Sequence, residues 1–221
     1  MKYYIYISDT KVDMLYPQIP QPILKKIASS LSIDLKLLGA ELSVGAKNSQ
    51  TEQNRYAKVR IVSDYIEKHM DVGTVDAPSA YFKGQLSMRQ GTLHDQAAFF
   101  SGETEKTVLG LCGSMKHVIG NVVDSKIPIP QSSLLYAIEH MIRVVVTESK
   151  LIPYNPAITA DDVEYEMHQD TLMGIVYMNY GKDASKQQFE FLAKTLLQGT
   201  FPIYNQPYVV LGTPIYVAID D

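Results

Sequence analysis

Strand-forming runs outnumber helical ones along this chain, and two of them are joined too tightly to lie parallel. VEYEMH at 163–168 alternates Val163, Tyr165 and Met167 against Glu164, Glu166 and His168. MGIVYMNY at 173–180 follows after the short turn QDT, so the pair reads as a hairpin. Further β-rich runs are YYIYI at 3–7, YFKGQLSM at 81–88, AAFF at 97–100, TVLGLC at 107–112 and YVVLGTPIYVAI at 208–219. IDLKLLGAELSV at 33–44 keeps period two with one slip near Leu38 and Gly39, which reads as a strand with a bulge.

Helical spacing predicts four helices. Pro20 and Pro22 open the first, with Ile23, Ile27 and Leu31 inward. The second runs to about Met70 through Tyr56, Val59, Val62 and Ile66. The third starts near Ser132 with Leu134, Ile138, Met141 and Val145 inward. The fourth, capped by Asp183 and closed by Gly199, buries Phe189, Leu192 and Leu196. The resulting order predicts an α+β fold with a mixed or largely antiparallel sheet. Residues 107–219 alone read β-α-β-β-α-β, a ferredoxin-like split βαβ order. At 221 residues the expectation is a single compact domain over 1–221, with 121–130 as the candidate subdivision.

Composition excludes several classes. Apolar residues make up 46% and the net charge is only −4, so the chain is not expected to be disordered. A pI near 5.7 argues against a duplex nucleic-acid partner. No uncharged apolar stretch is long enough to span a bilayer, and MKYYIYISDTK turns polar too early for a signal peptide. A lone cysteine, Cys112, cannot form an internal disulfide, which suits a reducing compartment. These features together predict a cytoplasmic protein with no membrane partner. The five histidines form no HxH or HExxH pattern and no CxxC is present, so no metal site is expected.

Several stretches carry a resemblance: YYIYISDTKVDM, IDLKLLGAE, GTVDAPSAYFKGQLSMRQG, TVLGLCGSMKHVIGN and LGTPIYVAI. In that order, and nearly end to end, they resemble an uncharacterised bacterial family of intracellular proteins of about this length, abundant in actinomycetes. The resemblance implies a shared fold and brings no activity, cofactor or catalytic set. Cys112 and Gln90 depart from its usual Gly and Trp, which lowers the functional weight of Cys112.

Candidate chemistry concentrates in GLCGSMKHVIGN at 110–121. A strand is expected to open into a loop in which Gly110 and Gly113 let backbone N–H groups approach an anion, beside Ser114 and His117. Neither GxxxxGK[ST] nor GxGxxG is present. The plainer reading is a glycine-rich turn with His117 hydrogen-bonded in place. The loop SDTKVDM supplies Asp9 and Lys11 at a strand end, and Arg89 follows another strand; lone charges of this kind are most often solvated. The expectation that follows is a small-molecule binding or sensor protein. Its ligand would be nucleotide-like or phosphate-bearing, held by Asp9, Lys11, Arg89, Gly110, Gly113, Ser114 and His117. Two alternatives stand beside it. One is a phosphodiesterase-like hydrolase with His117 as general acid or base. The other is a protein-interaction module, and a homo-oligomer fits any of the three.

Overall fold

The computed structural model describes residues 2–35, 38, 48–93, 96–120, 134–148, 160–180, 185–200 and 208–220. The first strand, β1 (Lys2–Ile7), leads into α1 (Asp9–Leu15), a 3-10 turn at Tyr16–Gln18, α2 (Gln21–Ser30) and α3 (Asn48–His69). Four strands follow: β2 (Val72–Gly73), β3 (Tyr81–Leu93), β4 (Ala97–Glu103) and β5 (Thr107–Ser114). A 3-10 turn at Met115–His117 ends β5, and α4 (Leu134–Glu148), α5 (Ala160–Tyr180), β6 (Gln187–Thr200) and β7 (Tyr208–Asp220) complete the order. The class is α+β with a mixed, largely antiparallel sheet; among the described residues only the β2·β3 and β5·β7 pairs are parallel. Five α-helices stand among the described residues, where the sequence predicted four. None of the described helices is long and apolar enough to cross a membrane.

The sheet closes on itself. Neighbours along it run β1-β7-β5-β4-β3-β2, and β6 pairs with both β3 and β7. The ring β3-β4-β5-β7-β6 is therefore a five-stranded barrel. Its interior holds Phe82, Met88, Phe100, Leu109, Leu111, Phe189, Phe191, Val210 and Val217, together with the ring of Tyr6. Two outer layers cover it. α4 and α5 pack Ile138, Ile142, Leu172 and Ile175 against Val108, Cys112, Val209 and Leu211. On another side Val12, Leu24, Ile27, Val59, Val62 and Ile66 of α1–α3 meet Leu192, Ile215, Tyr216 and Ala218.

Four expectations are corrected. Residues 163–180 are not a hairpin but lie within α5. The alternation there covers only three apolar positions, whereas buried Leu172, Ile175, Val176 and Asn179 recur at helical spacing. Residues 187–200 are not the fourth helix but strand β6, because Phe189, Phe191 and Ala193 alternate into the barrel. The described elements of 107–219 hence run β-α-α-β-β, not the ferredoxin-like order. In 33–44, the described Leu35 and Leu38 are helical rather than extended; the rest of that run, like the candidate boundary at 121–130, lies outside the described residues.

The 208–219 run is one strand, with register shifts against β6 at Leu192/Ala193 and Thr195/Leu197. Strands from both sides of 121–130 share the one closed sheet.

Two glycines permit the barrel's closest approaches. A Cβ on Gly113 would overlap the Tyr6 hydroxyl, and one on Gly212 would press the Phe82 ring. Tyr6 is fully buried and cannot swing away. Gly113→Ala should therefore destabilise by about 1–3 kcal/mol, the usual cost of overpacking a core. Denaturant melts of Gly113→Ala and of Gly113→Ala with Tyr6→Phe check this: removing the hydroxyl should restore part of the loss. A single substitution with wild-type stability would contradict it.

Candidate functional site

Only two of the residues singled out in the sequence come into direct contact, and they do so across the end of the barrel. Residues 8–14 form no loop; Asp9 begins α1, with Ser8 at its N-cap. Nor does a loop begin at Gly110. β5 continues to Ser114, which pairs with Ala97, and only then turns through Met115–His117. Val118 bridges to Tyr6, and the Ile119 N–H donates to the Ile5 carbonyl at 2.8 Å. That short return lays the turn against β1 and delivers His117 to Asp9.

His117 is 5% exposed, so its ring depends on protein partners rather than water. Nδ1 lies 3.4 Å from Asp9 Oδ2, and Nε2 lies 3.2 Å from Thr10 Oγ1. The ring meets Tyr6 edge-on at 5.9 Å. An ionised Asp9 accepts from Nδ1–H, which leaves Nε2 to accept from the Thr10 hydroxyl; this tautomer satisfies both contacts. Asp9 is itself clamped by Arg55 of α3. Nε donates to Oδ1 at 2.6 Å and Nη2 to Oδ2 at 2.9 Å, a forked pair, while Nη2 also reaches the Ile7 carbonyl at 3.3 Å.

The electrostatics agree with this protonation. Burial opposes ionisation of Asp9, but hydrogen bonds from His117 and Arg55 outweigh it and hold its pKa below the usual carboxylate range. Burial pulls His117 below its ordinary 6.5, with Asp9 opposing and Lys116 and Lys11 adding to the fall. Near neutral pH the pair is thus carboxylate and neutral imidazole.

These groups border an open depression of about 580 Å³, lined by Asp9, Thr10, Asp13, Met14, Lys116 and His117. Lys58 reaches Asp13 at 3.3 Å, so both carboxylates in the lining already have a cation. A larger groove of about 1020 Å³ lies between β1 and α3. Around it Lys68 pairs with Asp64, Lys2 with Glu190 outside it, and Tyr4 stacks on Tyr56 at 5.7 Å. The depression by His117 is the better site because its polar atoms converge. No three or more His, Cys, Asp or Glu among the described residues are grouped to hold a metal.

The other expected residues fall elsewhere. Lys11 sits behind the site, where Nζ donates to Ser8 Oγ at 3.1 Å and to the Pro214 carbonyl at 3.4 Å. Arg89 turns to the α5 side and donates from Nη1 to the Asn179 carbonyl. Gly110 is buried in β5, where a Cβ would come within 3.0 Å of Ile175 of α5; it serves helix packing, and its backbone belongs to the ladder. Gly113 likewise faces Tyr6. Cys112 is fully buried, and burial pushes its thiol up to about 12, so it is an inert core residue. Sequence reasoning missed Thr10, Arg55 and Lys116 as site members. Thr10 and Asp13 lay in the segment already singled out, three residues apart on what proves to be one helix face. Arg55 carried no signal, being one polar residue on a long helix.

Lys11 gives a direct test of this geometry. Burial pushes its pKa down from 10.5 to about 8, with Cys112 opposing and Lys194 adding. Between about 8 and 10.5 the unfolded chain binds the extra proton, so stability rises with pH across that window. Lys11→Met removes that proton and should flatten the rise from about pH 8 upward. Urea melts at pH 7, 8 and 9 check it; an unchanged pH slope in the variant would show that Lys11 is solvated.

No curated protein and no solved structure matches the chain. A family model described as a family of unknown function, DUF7019, matches residues 2–221. That match spans nearly the whole chain, and the protein belongs to this family.

Proposed function

We propose that the protein binds a small anion, or the anionic end of a larger metabolite, in the depression between α1 and the Met115–His117 turn. One observation carries this reading: the lining's two carboxylates are already matched by Arg55 and Lys58, which leaves Lys116 as its exposed cation beside the polar Thr10–His117 pair. Counting those five charged groups, the site is net positive although the chain is net negative. Lys11 adds a further partial charge from behind. A depression of about 580 Å³ falls within the ordinary range for small-molecule sites. Phosphate-bearing compounds fit it best, because their oxygens carry more charge than a carboxylate and accept charge-assisted hydrogen bonds from the Lys116 ammonium.

A ligand of the folded state raises the melting temperature according to RT ln(1 + [L]/Kd). Inorganic phosphate, pyrophosphate, adenosine monophosphate and acetate are the probes. At least one phosphate compound should stabilise the protein at millimolar concentration. Lys116→Ala should weaken that binding about fivefold, the equivalent of roughly 1 kcal/mol for one exposed charge. No stabilisation by any of the four, or full binding by Lys116→Glu, would overturn the proposal.

A further inference from the structure

We infer that Thr10 is a nucleophile and that the depression hydrolyses small carboxylic esters. The inference rests on the reading of the depression as a ligand site. What carries it is an unbroken line of contacts, Thr10 Oγ1 to His117 Nε2 at 3.2 Å and His117 Nδ1 to Asp9 Oδ2 at 3.4 Å, ending on the Arg55 fork. A hydroxyl, an imidazole and an orienting carboxylate in this relation define an activated nucleophile wherever they occur, independent of fold or chain order. The spacing is on the long side of reach, as is common before substrate is bound.

Neither Ser114 nor Ser8 fills this role. Ser114 ends β5 in its pairing with Ala97, and Ser8 Oγ accepts from Lys11. Thr10 is the hydroxyl that both touches His117 and lines the depression.

The reaction balances without a redox partner. Thr10 Oγ1 forms a bond to the ester carbonyl carbon while its proton passes to His117 Nε2. The bond from carbonyl carbon to alkoxy oxygen then breaks, and the alcohol leaves with that proton. Water next gives a proton to the same Nε2 and attacks the acyl-threonine carbonyl. The carbon–Oγ1 bond breaks, the proton returns to Oγ1, and the carboxylic acid departs. Asp9 is a positioning residue here: it fixes the ring and offsets the transient imidazolium. Lys116 meets the substrate's anionic group.

The test is incubation of the full chain with p-nitrophenyl acetate, following nitrophenolate release and mapping the acetyl group by peptide mass. Wild type should show a burst approaching one nitrophenolate per chain and an acetyl group on Thr10. Thr10→Ser should keep the burst, and Thr10→Val, similar in shape but without the hydroxyl, should lose it. His117→Gln should slow acylation by about 10²–10⁴-fold, the usual worth of a general base. The burst rate should rise with pH through a midpoint below 6.5, the ordinary value for histidine. Melting curves of each variant establish that it is folded.

An unmodified Thr10, or a burst of wild-type size in Thr10→Val, would overturn the inference and leave His117 a structural tie between α1 and the turn. If phosphate still stabilises a protein that is never acetylated, the nucleophile fails and anion binding stands. Acetylation of Thr10 without any anion binding would overturn only the binding reading.

Discussion

The structure depends on β7, one strand with three partners. β6 follows one edge for most of its length, while the other edge is shared in sequence by β5, from Tyr208 to Gly212, and β1, from Tyr216 to Asp220. Between them, Thr213–Ile215 has no strand on that side among the described residues. Backbone polar groups there must find partners of another kind or remain unpaired at a large cost. The Ser8 N–H takes the Ile215 carbonyl at 2.9 Å, and Lys11 Nζ reaches the Pro214 carbonyl. The chain therefore leaves β1 by bending into α1 over the gap. The candidate site is built on that bend.

This arrangement explains why a short helix of seven residues keeps a fixed position. Alone, a helix of two turns is marginal in water. Here Val12 packs into the layer formed by α2 and α3, and Asp9 is pinned by Arg55. The Asp9–Arg55 pair is partly exposed, so its net contribution to stability is modest. Its value is geometric: two parallel hydrogen bonds fix the carboxylate plane, and that plane fixes the imidazole of His117.

Much of the fold was legible, and the failures share a cause. β1, β5, β7, α2 and α4 were placed near their true bounds; β3, β4 and α3 were identified in type but drawn short, the strands at their C-terminal ends and the helix at its N-terminal end. β6 and α5 were exchanged in type. Phe189, Leu192 and Leu196 fit a helical stripe, while the true inward set is Phe189, Phe191 and Ala193; the outward Leu192 is also buried, since the barrel is covered outside. A strand buried on both faces loses the polar alternation that identifies it. For the same reason Gly110 and Gly113 looked like a ligand loop. They are spaces for Ile175 and Tyr6, which no local pattern reveals.

The pairing of Asp9 with His117 spans 108 residues and arises from closure of the sheet. Residue types pointed to both, and tertiary structure alone brought them together. Arg89 and Lys11 show the converse: suitable cations in suitable segments, directed to backbone carbonyls instead of to a ligand.

In the proposed site His117 is a neutral, Asp9-oriented imidazole opening through Thr10 onto the anion-binding depression. Long-range proton–nitrogen NMR of the histidine rings reads this directly. An Nδ1–H tautomer of His117 at pH 7, a titration midpoint below 6.5, and a shift of Nε2 when phosphate is added are expected. An imidazolium at pH 7, or an Nε2–H tautomer indifferent to phosphate, would contradict it.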